Sequence, residues 1–163
     1  MNIVIANRQR VKKIDSRRFR QIVGGLLAEL NIAEAELGIN LVGAHEMTLV
    51  NETFLQHEGP TDVITFDHAE IEEKKAESGE RKSLHGELFV CMDEALLQAK
   101  KFGVSWQSEV VRYVIHGVLH LLGHDDLRTD LRRTMKREEN RLVRRLAGRF
   151  SLAQLERMTK LRA

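Results

Sequence analysis

The chain has 163 residues, of which 42% are hydrophobic and 31% are charged. This balance suits a soluble globular domain and excludes a disordered chain. A single cysteine, Cys91, excludes an internal disulfide framework and a thiolate-rich zinc site. No apolar stretch reaches the roughly 18–20 residues that a membrane helix requires, and residues 1–11 lack a signal-peptide pattern. We therefore expect one domain over residues 1–163, in the cytoplasm.

The formal net charge of +2 conceals an asymmetry along the chain. Residues 1–20 carry seven Lys or Arg against one acidic residue, and residues 128–163 carry twelve against four. Residues 21–127 carry seven basic and nineteen acidic residues. Basic ends favour a polyanionic partner and an acidic middle favours cations, although basic helices are often only solvated surfaces.

Predicted strands and helices alternate along the chain. Alternating or β-branched segments predict four strands, at residues 2–6, 37–42, 61–68 and 86–92. Helical spacing of apolar residues predicts helices at residues 16–31, 45–56, 93–103, 105–123 and 129–146, with a short one near 151–161. Asp15, Asp93 and Ser105 are the predicted caps of three of them. Together these elements predict an α+β fold, in which a small mixed sheet of about four strands packs with about five helices.

Two segments differ from the others in composition. Residues 69–83 are charged and nearly devoid of large apolar side chains, which predicts a mobile surface loop. Residues 105–123 are apolar around most of the helical circumference, which predicts a central, buried helix.

The segment most informative about chemistry, HGVLHLLGHDD, occupies residues 116–126 at the end of this central helix. His116 and His120 are four residues apart, so on a helix both imidazoles project from one face and can reach one metal ion. Gly123 is suited to end the helix in a left-handed turn, after which the chain can double back. The sequence therefore predicts a metal site on the central helix and the loop that follows it.

Three side chains after the turn can supply a third ligand: His124, Asp125 and Asp126. Three protein ligands and an open position are the arrangement of a catalytic zinc site, in which bound water is acidified toward pH 7. The alternative is that both histidines are satisfied by hydrogen bonds in the core and that an aspartate caps the next helix. Burying two imidazoles without partners would cost roughly 1–3 kcal/mol each, so the metal site is the favoured interpretation.

Three separated blocks resemble the YbeY-type rRNA maturation endoribonucleases. Residues 116–126 are similar to that family's signature, H-G-x-L-H-L-x-G-x-D-H, in which three histidines bind zinc. Residues 50–66 (VNETF…GPTDVITF) resemble its L-N-x-x-Y-R…P-T-D-V-L-S-F stretch, and residues 85–90 (HGELFV) resemble its L-G-D-I strand. The blocks occur in the family's order, and the resemblance covers roughly residues 40–135.

The resemblance implies a zinc-dependent, single-strand-specific endoribonuclease of 16S rRNA 3′-end maturation and ribosome quality control. It implies one Zn²⁺ ion, and as partners an rRNA precursor and the small ribosomal subunit, with neither DNA nor a membrane. Asp126 stands at the family's third metal histidine, and a carboxylate is a competent zinc ligand, so the expected ligands are His116, His120 and Asp126. His124 is the competing third ligand. The sequence does not assign the general base, for which His124 and Asp62 are candidates.

A second departure from the family concerns phosphate binding. The family's arginine aligns with Leu55, which follows Phe54, and leucine cannot offer a forked cation to a phosphate. Full activity would therefore need another cation. His57 is one candidate, although an ordinary loop histidine is the favoured interpretation. Glu87 replaces a family aspartate and keeps the carboxylate.

The helix predicted from residue 129 offers another source of positive charge. A narrow apolar stripe would dock it and leave seven basic residues in solvent: Arg132, Arg133, Lys136, Arg137, Arg141, Arg144 and Arg145. Such a surface suits RNA phosphates, and equally suits a merely solubilising face. With one Trp, one Tyr and six Phe, the sequence indicates no aromatic platform for base stacking.

Two alternatives belong to other functional classes. A zinc metallopeptidase would carry a glutamate directly after the first histidine, as in H-E-x-x-H, and Gly117 occupies that position. A catalytically weakened, ribosome-associated metal-binding protein is the other alternative, and Leu55 favours it.

Overall fold

The computed structural model describes residues 1–69 and 83–158. Within them, four strands form one sheet: β1 (Asn2–Asn7), β2 (Glu34–Val42), β3 (Val63–Asp67) and β4 (Ser83–Cys91). Five α-helices accompany the sheet: α1 (Ser16–Glu29), α2 (Ala44–Val50), α3 (Met92–Phe102), α4 (Trp106–Leu121) and α5 (Thr129–Arg149). A π-helical turn (Asn51–Leu55) extends α2, and a 3₁₀ turn (Leu152–Leu155) follows α5. The predicted α+β architecture is confirmed.

The sheet is mixed, with strand order β1-β2-β4-β3. β1 and β2 are parallel, as are β2 and β4, whereas β3 runs antiparallel to β4 at the edge. At its centre Ile39 pairs with Ile5 on one side and with Leu88 on the other. Ile39 and Leu88 are fully buried in the main hydrophobic core, which they share with residues of α1, α4 and α5.

The central helix predicted from the sequence is α4. Its valines, leucines and Ile115 are buried, and its backbone lies close against the sheet. A β-carbon at Gly117 would lie 2.7 Å from Cδ2 of Leu88, and one at Gly86 would lie 2.8 Å from the carbonyl oxygen of Phe66. Glycine at position 117 therefore lets α4 lie close to β4, and glycine at position 86 lets β4 lie close to β3 and to the end of α4.

Two predicted caps are confirmed and one is wrong. The side chain of Asp15 accepts a hydrogen bond from the backbone N–H of Arg18, and Ser105 Oγ accepts one from that of Ser108. Asp93 instead lies within the first turn of α3, and its carboxylate accepts a 2.6 Å hydrogen bond from the backbone N–H of Ala44. It thus caps the start of a different helix, α2, because the end of β4 brings it beside that helix.

The remaining predictions concern the surface segments. The predicted helix at 45–56 is α2 with its π-helical extension. Of the predicted helix near 151–161, the described residues up to 158 form only the 3₁₀ turn at Leu152–Leu155. Residues 70–82 of the predicted loop at 69–83 lie outside the described residues, and the prediction is wrong for Ser83, which begins β4 and pairs with Glu34 of β2. Among the described residues, no helix combines the length and apolar character needed to cross a bilayer.

Candidate metal centre

The chain reverses direction immediately after α4, as Gly123 predicts. Gly123 has φ of 96°, in the left-handed region that favours glycine. The backbone N–H of Gly123 donates to the carbonyl of His120, and that of His124 donates to the carbonyl of Leu119, each at 3.0 Å. These bonds satisfy the last carbonyls of the helix and send the following residues back past its end.

This reversal brings three potential ligand atoms together. Nε2 of His116 and Nε2 of His120 are 3.0 Å apart, and Oδ2 of Asp126 lies 3.8 Å from the former and 3.6 Å from the latter. Tetrahedral zinc with bond lengths near 2.0–2.1 Å requires its ligand atoms to be about 3.3 Å apart. The three distances bracket that value. Among the described residues, these three side chains form the one group of three or more His, Cys, Asp or Glu residues within reach of a common ion. We call His116, His120 and Asp126 the metal group.

Hydrogen bonds to the second nitrogen of each imidazole orient both rings. Nδ1 of His116 lies 2.9 Å from Oε2 of Glu139, and Nδ1 of His120 lies 3.0 Å from the carbonyl oxygen of His124. An ionised carboxylate and a carbonyl only accept, so each Nδ1 carries the proton. Both Nε2 lone pairs then face the same point, an arrangement stabilised by a cation between them. Metal-binding histidines are typically fixed in this way, and the donor set fits a metal ion.

The electrostatic surroundings of His116 favour positive charge at this point. Burial lowers the pKa of His116, but the hydrogen bond to Glu139 and the charges of Glu139, Asp62 and Asp126 outweigh it, so the pKa lies above its ordinary value. The same carboxylates that stabilise an imidazolium would stabilise a bound cation.

The structure distinguishes between the three side chains that follow the turn. Oδ1 of Asp125 accepts a 2.6 Å hydrogen bond from the backbone N–H of Leu127, which occupies it in a local turn. His124 contributes its backbone carbonyl to His120, and its imidazole lies outside the three-residue group. Burial lowers the pKa of His124, with the charge of His120 acting in the same direction and that of Glu138 against it. Asp126 is the residue whose side chain joins the two histidines.

A cleft of about 880 Å³ opens beside this group, with His116 and Asp126 in its wall. Asp62, the predicted candidate base, lies in the same wall. Oδ1 of Asp62 accepts hydrogen bonds from the backbone N–H of Val63 at 2.7 Å and from the hydroxyl of Thr61 at 3.3 Å. These bonds hold the carboxylate just before β3, in the wall of the cleft.

Charged residues line the cleft in two groups. Five are acidic: Asp62, Glu94, Glu109, Asp126 and Glu139. Four are permanently cationic: Arg112, Arg132, Arg133 and Lys136. A bound divalent cation would therefore reverse the sign of the formal charge of the lining from negative to positive, and make the cleft receptive to an anion.

Neither Leu55 nor His57 belongs to this cleft. Leu55 is the last residue of the π-helical turn and is 42% exposed, and His57 is an exposed residue just beyond it. The cleft's permanent cations come from α4 and α5.

Two buried acidic residues of the site were not predicted from the sequence. Glu139 is buried on the side of α5 that carries Met135 and Leu142. Its position four residues after Met135 and three before Leu142 is the sequence signal by which it could have been found, because a carboxylate there interrupts the apolar stripe of the helix. Glu109 lies two helical turns before His116 on α4 and is also buried. Arg112 joins the two, lying 3.9 Å from Glu109 and 3.7 Å from Glu139.

The family model described as Endoribonuclease YbeY matches residues 4–147 of this chain. The chain belongs to the YbeY family. Its curated relatives include an Endoribonuclease YbeY of Geobacter metallireducens, 32% identical over 133 residues that make up 79% of this chain and 83% of the relative. Another, from Syntrophotalea carbinolica, is 32% identical over 126 residues, or 77% of this chain and 81% of the relative.

Membership of the YbeY family confirms the resemblance inferred from the sequence. It also confirms the enzyme class that the resemblance implied, a hydrolytic endoribonuclease. The match extends beyond the 40–135 region to β1, α1 and nearly all of α5. A solution structure of a Thermotoga maritima protein has a TM-score of 0.64 and 24% identity, covers 90% of both chains, and supports the fold.

Proposed function

We propose that this YbeY-family chain is a Zn²⁺-dependent endoribonuclease that cuts single-stranded RNA. The observation that carries the proposal is the convergence of Nε2 of His116, Nε2 of His120 and Oδ2 of Asp126 beside a cleft, in a chain that belongs to this family. Imidazole and carboxylate donors around an open position are the ligands of a catalytic zinc ion.

In this proposal each residue of the site has a distinct role. His116, His120 and Asp126 hold one Zn²⁺ ion, which when bound supplies an acidified water and polarises a phosphate oxygen. Glu139 and the carbonyl of His124 keep the imidazoles in the tautomer that presents Nε2. Both of these interactions fix the ligands before substrate arrives.

Asp62 is the better of the two candidate bases. It lines the cleft, and its two hydrogen bonds both reach Oδ1, while the described residues place no hydrogen bond on Oδ2. An oxygen that is held in place and otherwise unoccupied is suited to receive a proton from an attacking water. His124 does not line the cleft, and the nearby charge that raises its pKa is that of Glu138.

The family also supports the finer biological assignment. We propose a cytoplasmic enzyme of one domain that acts on precursor rRNA at the 3′ end of 16S rRNA, in association with the small ribosomal subunit and in its quality control. The family resemblance supports the substrate, and the exposed cations of α5 supply a surface suited to it.

Cleavage of a labelled single-stranded 16S rRNA precursor tests this function. The wild-type protein should cut it, a duplex of the same sequence should be cut far more slowly, and His120→Ala should be inactive although α4 stays folded. Equal activity of wild type and His120→Ala would refute the proposal, since it would identify a contaminating nuclease. Bound metal without cleavage would instead support the ribosome-associated binding protein.

A further inference from the structure

The cleft beside the metal group also has an apolar side, formed by the junction between α3 and α4. Phe102 ends α3 and is 65% exposed, and Val104 follows it after Gly103 and is 45% exposed. Both line the same cleft as His116 and Asp126. Nζ of Lys101 lies 5.7 Å from the centroid of the Phe102 ring. The residue nevertheless remains largely exposed, so its ring offers a contact surface within the cleft and is not part of the core.

The cationic side of the cleft comes from the first half of α5. Arg132, Arg133 and Lys136 are exposed there. Within the described chain Arg133 and Lys136 form no hydrogen bond or ion pair, and Arg132 only contacts the hydroxyl of Thr129 at 3.3 Å. The charge of Lys136 also acts on Glu109. Because none of the three cations is held in an ion pair, all three can contact an anion.

Two other cations of α5 are paired with carboxylates. Outside the cleft, Arg141 is ion-paired with Glu138, and Arg145 lies 3.2 Å from Oε2 of Glu29. Arg137 and Arg144 are exposed outside the cleft and form no hydrogen bond or ion pair within the described chain, so unpaired positive charge also continues along the helix. Arg132, Arg133 and Lys136 differ from them in position, because they line the same cleft as His116 and Asp126, where they suit the binding of a phosphate.

We propose that the cleft is a nucleotide subsite of the RNA-cutting site, in which one unpaired base stacks on Phe102 while the backbone phosphates contact Arg132, Arg133 and Lys136. The inference rests on the proposed function and adds the residues that select a single strand. A base within a duplex is already stacked and paired, so it cannot offer its face to Phe102. The three cations of α5 supply the phosphate contacts that Leu55 cannot.

Binding of two matched oligonucleotides separates the two contacts. The first probe is a short, unstructured 2′-O-methyl RNA, which keeps bases and phosphates, and the second is an abasic strand of the same length, which keeps only the backbone. Kd is measured by fluorescence anisotropy with and without Zn²⁺, over a series of salt concentrations, and gel analysis checks that the probes stay intact.

Phe102→Ala should weaken binding of the first probe by about fivefold or more and leave the abasic probe unchanged, because stacking needs a base. Phe102→Trp should restore it. Arg132→Gln together with Lys136→Gln should weaken binding of both probes and lower the slope of log K against log salt by about 1.4, since each phosphate contact on a single strand contributes about 0.7. Leu97→Ala and Lys100→Gln, on α3 outside the cleft, serve as controls and should bind both probes as the wild type does.

Three outcomes would overturn the inference: no wild-type binding of the first probe in the presence of Zn²⁺, wild-type affinity of Phe102→Ala, or equal losses in the two control variants. If AMP displaces the oligonucleotide with a Kd similar to that of the oligonucleotide itself, the cleft is a site for a free nucleotide and not for RNA. If the wild type cuts RNA while Phe102→Ala binds normally, the inference fails and the proposed function stands. If the wild type cuts no RNA, the proposed function fails, and the binding data still report on the cleft.

Discussion

Nδ1 of His116 and Oε2 of Glu139 lie 2.9 Å apart, and this contact joins the central helix α4 to the basic helix α5 at the metal group. Glu139 is buried, so its charge acts on His116 with little screening by solvent. The contact fixes the imidazole so that Nε2 faces Nε2 of His120. The helix that carries three of the four permanent cations of the cleft is thereby tied directly to a proposed metal ligand.

Loss of this contact should weaken metal binding. Glu139→Ala is expected to lower the affinity for Zn²⁺ by about 10–100-fold, because His116 loses the partner that sets its tautomer and orientation. Competition with a chromophoric chelator measures the change. Glu138→Ala is the matched control, since Glu138 is paired with Arg141 on the surface and does not contact either imidazole. Equal affinities for the two variants would show that Glu139 has no orienting role.

Substitutions at two neighbouring aspartates test which residue is the third metal ligand. Asp126→Ala should lose tight Zn²⁺ binding, whereas Asp125→Ala should keep it, because Asp125 only closes a turn onto the N–H of Leu127. Asp126→His, which restores the residue of the family signature, should retain one equivalent of metal. Metal content per chain after gel filtration is the measurement. Wild-type content in Asp126→Ala would shift the third ligand to His124.

The close packing around Gly86 predicts that alanine destabilises the protein at this position and not at Gly148. A β-carbon at Gly86 would lie 2.8 Å from the carbonyl oxygen of Phe66 and 2.7 Å from Cδ2 of Leu121, so Gly86→Ala should destabilise the fold by about 1–3 kcal/mol. Gly148→Ala meets no atom within 4 Å on α5 and should stabilise by about 0.4–1 kcal/mol. Urea unfolding of both variants compares them, and a stable Gly86→Ala protein would contradict the packing.

The buried carboxylate of Glu109 predicts a dependence of stability on pH. Burial raises the pKa of Glu109, and the charges of Arg112 and Lys136 only partly oppose it. Ionised Glu109 therefore costs the folded state stability at neutral pH, and this cost disappears as the pH falls through the raised pKa to the ordinary one. Glu109→Gln should raise the Tm at pH 7, by an amount that shrinks toward acid pH.

Thermal melts of Glu109→Gln between pH 4 and pH 7 check this expectation, with Glu52→Gln on the exposed surface as the control. A lower Tm for Glu109→Gln at pH 7 would contradict it. That result would mean that the attraction between Glu109 and Arg112 exceeds the cost of burying the carboxylate.

Local sequence patterns predicted the parts of the site that are close in the chain. The four-residue spacing of His116 and His120 and the turn at Gly123 depend only on helix geometry, so both could be inferred before the fold was known. The choice of Asp126 over Asp125 came from the family pattern, and the turn formed by Asp125 gives it a physical reason.

Features that depend on how distant elements pack could not be predicted in this way. Glu139 meets His116 across 23 residues, only because α5 packs on α4. Asp93 seemed a cap of its own helix by pattern, yet it caps α2, because β4 ends beside that helix. No sequence pattern singled out Phe102, and its exposure in the cleft follows from the position of the α3–α4 junction.

Metal removal and restoration test the central claim most directly. Protein stripped by a chelator is titrated with Zn²⁺, and bound zinc and the rate of single-stranded RNA cleavage are measured on the same samples, with His120→Ala in parallel. The account predicts that cleavage is lost on stripping and rises with zinc up to one equivalent per chain, and that His120→Ala stays inactive. Undiminished cleavage by the stripped protein, or one bound equivalent of zinc without any return of cleavage, would contradict it.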